Sequence, residues 1–174
     1  MPIPLIIPYF NQPTWLAQLV NWWRWYRAED PVFVLNNNSD RVPELRQRNV
    51  ERIDFPVNAA WRNMAAFIKE RIVGHFDYYA ISDPDILPLP ATPPNFLEVF
   101  KAAIDQGYHH AGFGLVVDDI PTWVPPAIRD DAMRNEAFVK GSEVVKVVHG
   151  GTLYEGGRAP IDTTFALYTT KNSG

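Results

Sequence analysis

The chain has no cysteine. That excludes disulfides and thiolate metal sites, and it fits a reducing compartment. No apolar run approaches the roughly 18 residues that mark a membrane span. The N-terminus lacks the basic region, apolar stretch and small-residue cleavage site of a secretory leader. The expectation is a cytoplasmic chain without a membrane span. Positive charge is sparse: 16 Lys and Arg against 20 Asp and Glu give a net charge of −4, with no long basic block. Nucleic-acid backbone binding needs concentrated positive charge and is disfavoured. There is no internal repeat.

What is present is an ordinary globular composition, 47% hydrophobic over 174 residues, which predicts a single domain over 1–174 with a substantial core. Sixteen prolines punctuate the chain and mark turns and strand ends. Ile3 to Pro8 is a short apolar run that predicts a buried strand, broken by Asn11, Gln12 and Pro13. Thr14 is the expected N-cap of a helix from Trp15 to about Arg27. Val32 to Leu35 predicts a second strand, ending in the polar run Asn36 to Asp40. A short helix is expected around Pro43 to Arg48, then a strand over Val50 to Asp54. A helix from Ala59 to about Val73 places Met64, Phe67, Ile68 and Ile72 on one face. Asp77 to Ser82 predicts a central strand.

Further on, a helix is expected from Asn95 to about Gln106, a strand from Ala111 to Val117, and a polar helix within Pro125 to Lys140. Val144 to Val148 alternates weakly, and Thr164 to Tyr168 predicts a last strand. Strands alternating with helices define an α/β fold with a mostly parallel sheet. Ligands of such sheets bind at the C-terminal edge of the strands. Asn36 to Asp40, Asp83 to Asp85 and Asp118-Asp119 all follow predicted strands and fall on that edge.

Asp83-Pro84-Asp85 is the most informative stretch. Proline disfavours helical backbone in the residue before it, so Asp83 is expected to be extended. In extended chain, residues i and i+2 share a side, which lets both carboxylates face one point. Paired carboxylates suit a hard divalent ion, Mn²⁺ or Mg²⁺, and such an ion can bridge to a diphosphate. The competing reading is a solvated turn, since Asp and Pro both favour turns.

A hydrophobic strand ending in Asp-x-Asp resembles the hallmark of GT-A-fold glycosyltransferases. Ile3 to Asn11 looks like their first strand and nucleotide loop, and Val32 to Ser39 like their second strand. Asn58 to Ala65 resembles the opening of the helix before the Asp-x-Asp strand. Phe113 to Pro121 and Ala159 to Tyr168 look like later elements of bacterial members. The resemblance implies a Rossmann-like GT-A sheet flanked by helices. It implies transfer of a sugar from a nucleotide-sugar donor, a UDP- or GDP-sugar, to an unidentified acceptor. Donor binding would fall to Pro8, Tyr9, Asn11, Asn36, Asn38, Arg62 and Asp83. The metal would fall to Asp83 and Asp85, with His149 completing it as a C-terminal histidine does in some members. Many members carry a longer C-terminal acceptor region. The expectation is therefore a minimal enzyme, one that takes its acceptor site from a partner, or a degenerate one.

A carboxylate must take the acceptor proton in an inverting transfer, and Asp118, Asp119 and Asp162 are the candidates. Each also reads as a turn acid. A loop histidine without a metal role is the commoner case for His149. Gly150, Gly151, Gly156 and Gly157 predict mobile loops able to form a lid. The aromatic helix packs Leu16, Leu19, Val20 and Trp23 inward. Trp22 and Trp25 fall on a second buried face or on a subunit contact, the latter implying a homo-oligomer. Two rivals stay open. A nucleotidyltransferase would carry a Gly-rich basic loop after the first strand, where this chain has Tyr9-Phe10-Asn11-Gln12-Pro13. A non-catalytic nucleotide-sugar-binding module would bind donor without turnover.

Overall fold

The computed structural model describes residues 1–114, 125–140, 142–158 and 165–171, with backbone only for 132 and 135–140. The first five predicted strands form as β1 (Leu5–Tyr9), β2 (Val32–Asn37), β3 (Val50–Phe55), β4 (Tyr78–Ile81) and β5 (His110–Gly112). With β8 (Ala166–Thr169) they make one six-stranded sheet in the order β3-β2-β1-β4-β8-β5. β1 lies parallel between β2 and β4, and β2 parallel to β3. β1 and β2 are apolar almost throughout because both faces of a parallel sheet are covered. β8 runs antiparallel to both β4 and β5, so the sheet is mixed. The chain builds outward from β1 to β3 and then returns to place β4 on the other side of β1. That reversal makes the β1–β4 gap the topological switch point.

Side-chain alternation assigns the two faces. Leu5, Ile7, Tyr9, Val32, Val34 and Ala80 pack with Leu16, Leu19, Val20 and Trp23 of α1 (Pro13–Tyr26) and with Phe96, Leu97 and Ile104 of α3 (Phe96–Asp105). Ile6, Phe33, Leu35 and Ile81 face the other way, onto Phe67 and Ile72. Phe67 ends α2 (Trp61–Phe67), and Ile72 ends a π-helical continuation, Ile68–Ile72. In an α-helix, residues five apart diverge by about 140°. The widened turn, closed by Val73 N–H on the Ile68 carbonyl at 3.0 Å, brings Ile72 back under the sheet. An aromatic cluster locks α1, α3 and the start of β8 together: Phe96 lies 4.9 Å from Tyr26, 5.0 Å from Phe113 and 5.6 Å from Phe165.

Several local expectations are corrected. Pro43 to Arg48 forms no helix; its residues alternate between half-buried and exposed, and Val42 and Leu45 pack onto the core from irregular backbone. Thr14 lies inside α1, whose N-cap is Gln12, and no side chain caps it. Pro13 at the first helical position removes an N–H that would otherwise lack a partner. β6 (Val144–His149) and β7 (Thr152–Gly157) form a separate antiparallel hairpin. Gly150 and Gly151 are its two-residue turn, with φ of 56° and 80°, in place of a mobile loop. Trp22 is half-buried and stacks on Tyr26, whereas Trp25 is 83% exposed. The polar helix forms as α4 (Pro126–Lys140). Residues 115–117 and 164 of the predicted fifth and last strands lie outside the described residues.

Candidate functional site

The site begins where β1 and β4 part. Ala80 N–H donates to the Pro4 carbonyl at 2.8 Å, and Ser82 N–H to the Ile6 carbonyl at 3.1 Å. The next rung of a parallel ladder would need an N–H at position 8, and Pro8 has none. Pairing of β1 with β4 accordingly stops at Ile6 and Ile81, while β1 stays paired with β2 through Tyr9 and Asn36. Two chain segments leave the sheet into this opening: Phe10-Asn11-Gln12 from β1 and Asp83-Pro84-Asp85 from β4.

Hydrogen bonds tie the first of these to the loop after β2. Asn11 and Asn38 both take positive φ, 52° and 59°, a conformation that asparagine tolerates better than most residues. Asn11 N–H donates to Ser39 Oγ at 3.2 Å, and Asn11 Oδ1 accepts from Arg41 N–H at 3.2 Å. Tyr9 is fully buried and its hydroxyl donates to the Arg41 carbonyl. Burial pushes the Tyr9 phenol up, opposed by a backbone hydrogen bond at Gln12. Asn36, also buried, donates to Asp54 Oδ1 at 2.7 Å and accepts from Ser39 N–H at 3.1 Å. Tyr9 and Asn36 thus brace the two loops. Asn11 and Asn38 are the exposed members of the predicted donor-binding set here.

Asp83-Pro84-Asp85-Ile86 is a β-turn, closed by Ile86 N–H on the Asp83 carbonyl at 3.3 Å, with Pro84 at its second position. This corrects the expectation of extended backbone through Asp85. Asp83 is half-buried, Pro84 buried and Asp85 exposed. Gln12 Nε2 donates to Asp85 Oδ2 at 3.3 Å and joins the β1 and β4 loops across the opening. Sequence reasoning gave Gln12 no role, since neither periodicity nor motif marks it. Asn63 falls inside the Asn58 to Ala65 segment, and no local pattern marks it. Its amide donates to Asn37 Oδ1 at 2.7 Å and to the Val57 carbonyl at 3.0 Å, which fastens the start of α2 to the end of β2. Arg62 is exposed beside it, its guanidinium 5.7 Å from the Trp61 ring centroid.

His149 lies at the end of β6, opposite Thr152, in the hairpin that packs against α3. Among the described residues no group of three or more His, Asp or Glu side chains is gathered as a metal site. Asp118, Asp119 and Asp162 lie outside the described residues. The register does fix where their segments join the sheet. Gly112 pairs with Ala166, and Ala166 with Ile81, so β5 leaves and β8 enters on the edge of Asp83. Two shallow cavities of about 360 and 370 Å³ lie elsewhere, one over Leu45, Arg52 and Asp54, the other over Pro31, Phe33 and Asn49. The opening at the switch point is marked by the polar groups of its two loops.

The chain is an α/β protein with a mostly parallel, six-stranded mixed sheet flanked by helices, compatible with a Rossmann-like fold. Comparison with known proteins finds no matching family model and no matching curated protein. Among the described residues no helix is long and apolar enough to cross a membrane.

Proposed function

We propose that the chain is a GT-A-type glycosyltransferase that moves a sugar from a UDP- or GDP-sugar to an acceptor. The observation that supports this most is the Gln12–Asp85 junction at the point where β1 and β4 part. Open α/β sheets bind ligands at such switch points. Asp83 and Asp85 offer hard carboxylate oxygens on one tight turn, a donor set that fits Mn²⁺ or Mg²⁺ held by one or two carboxylates plus phosphate oxygens. Such an ion, when bound, supplies positive charge against the departing nucleoside diphosphate.

The chain's own residues divide the remaining work. Exposed Asn11 and Asn38, with Ser39 between the loops, offer hydrogen bonds to the nucleoside. Exposed Arg62 suits diphosphate oxygens. Asp118, Asp119 or Asp162 would take the acceptor proton. The test is calorimetric titration of UDP and GDP, with and without Mn²⁺, into the wild type and Asp85→Asn. The wild type should bind one nucleotide in a metal-dependent manner. The variant should lose that dependence while its stability stays within about 0.5 kcal/mol, as for an exposed substitution. Unchanged metal-dependent affinity in the variant would refute the proposal.

A further inference from the structure

The β6–β7 hairpin has one covered face and one exposed face. Val147 is 6% exposed, and β6 packs against α3. Tyr154, the ladder partner of Val147, accepts a hydrogen bond on its hydroxyl from Asn95 Nδ2 at 3.1 Å. These residues mark the inner face. Side chains alternate along a strand, so Val144, Lys146 and Val148 point the other way. Their ladder partners Gly157, Glu155 and Leu153 share that outer face. Val144 is 61% exposed, Val148 62% and Leu153 52%. Between the two apolar ends, Lys146 Nζ lies 3.5 Å from Glu155 Oε1. Valine favours strands in general, which accounts for Val144 and Val148. Leucine has no such preference, and Leu153 directly opposite Val148 joins single exposed residues into a patch.

The order of residues makes this face complementary to itself. A two-fold axis running along the strands, midway between two such faces, lays β6 of one copy over β7 of the other. Each residue then meets the counterpart of its own ladder partner. Val148 lies over Leu153, Lys146 over Glu155, and Val144 over Gly157, whose missing side chain leaves room for it. The charges meet at the centre with alternating signs. An axis across the strands would instead set Lys146 on Lys146 and Glu155 on Glu155, so charge selects the first arrangement. The same patch serves on both copies, as a closed two-fold contact requires. We propose that the outer face of the hairpin docks a second copy of this chain, giving a symmetric dimer joined hairpin to hairpin. Two six-residue strands cover roughly 200 Å², at about 3.4 Å rise per residue and about 4.8 Å between strands. A standard interface takes about 800 Å² from each partner. The dimer is therefore weak and reversible, and it forms as concentration rises. None of its residues belongs to the proposed donor site.

The test is sedimentation equilibrium of the full chain from about 10 μM to about 500 μM, the range in which a small interface associates. Lys146→Glu, Glu155→Lys and an equimolar mixture of the two are compared with the wild type. The wild type should move toward the dimer mass as concentration rises. Lys146→Glu carries two acids on the face and Glu155→Lys two bases. Each alone meets like charge, and its association should fall at least about tenfold. The mixture sets acids against bases and should associate at least as well as the wild type. Loss of the ion pair within one chain predicts no such recovery, so mixing separates docking from folding. Val148→Thr keeps the β-branched shape and should weaken association several-fold, which gives a readout should a charge variant unfold. A wild type that stays monomeric throughout overturns the inference and leaves the face to a different partner or to none. So does association undiminished in both charge variants and in Val148→Thr, which would put the contact elsewhere. Folded charge variants whose mixture recovers nothing overturn it as well.

Discussion

Asn63→Ala is expected to loosen the edge of the sheet at a cost that the geometry bounds. Asn37 is 3% exposed, and its Oδ1 accepts the Asn63 amide at 2.7 Å. Removing that donor leaves a buried carbonyl oxygen without it, which costs about 1–3 kcal/mol. The second acceptor of Asn63 is the Val57 carbonyl, and Val57 is 63% exposed, so water can replace the amide there. Ala is also the better helix former in the first turn of α2, which returns up to about 0.7 kcal/mol. The net loss should be about 1–2 kcal/mol, read as a lower urea midpoint at unchanged slope by tryptophan fluorescence. In a cycle with Asn37→Ala, the pair should couple by on the order of 1 kcal/mol. Hydrogen exchange over 58–63 should quicken, because this contact pins the segment that carries Trp61 and Arg62. A loss below about 0.5 kcal/mol, with the two changes additive to within about 0.3 kcal/mol, would refute the buried-pair argument.

Three further outcomes check the architecture. A Cβ on Gly112 would meet the Phe165 carbonyl oxygen at 2.6 Å and Ala166 Cβ at 2.8 Å. Gly112→Ala should therefore cost about 1–3 kcal/mol, seen as a lower Tm. Gly156→Ala, where a Cβ meets nothing within 4 Å, serves as its control; equal Tm values in the two variants would contradict the β5–β8 pairing. Thr14→Ala should change stability by under about 0.5 kcal/mol, since no side chain caps α1 and the usual loss for an N-cap is about 1 kcal/mol. A full cap-sized loss in urea unfolding would restore Thr14 as the cap. The third concerns His110, which stacks on Tyr168 with centroids 5.2 Å apart and whose pKa is lowered, first by burial and then by the charge of His109. The folded state therefore disfavours the protonated ring. Its contribution is present above the unfolded value of about 6.5 and is lost as pH falls through the lower folded value. The Tm should drop between about pH 7 and pH 5, and less so in His110→Phe; superimposable pH profiles would count against it.

Where the sequence was legible, periodicity and burial agreed. β1 and β2 read as buried strands because their apolar residues are continuous, and a parallel strand covered on both faces requires that. Leu16, Leu19, Val20 and Trp23 read as one helix face for the complementary reason, and all four are fully buried. What escaped was set by partners distant in the chain. Nothing local in Ala166 to Thr169 tells an antiparallel insertion between β4 and β5 from a further parallel strand; the choice is made by pairing with Tyr78–Ile81 and His110–Gly112. Pro43 to Arg48 was expected to be helical, but Val42 and Leu45 reach the core from irregular backbone instead. Gln12 was invisible because its role depends on Asp85, 73 residues away.

Pro8 shows how one residue can carry meaning at two levels. As sequence it marks a strand end, yet it lies inside β1, paired through to Tyr9 on the β2 side. In a parallel strand, successive residues turn their N–H and C=O groups alternately to the two neighbours. Leu5 N–H donates to the Pro31 carbonyl, toward β2, so positions 6 and 8 address β4. The missing N–H therefore weakens nothing toward β2 and ends the ladder toward β4 after Ser82. With that rung absent, Ser82 is the last residue of the β4 segment tied to β1, and the chain turns at once through Asp83 to Ile86. The carboxylates stand at the opening because the sheet comes apart there. Any ligand reading of Asp83 and Asp85 inherits that constraint: it must act where β1 and β4 part.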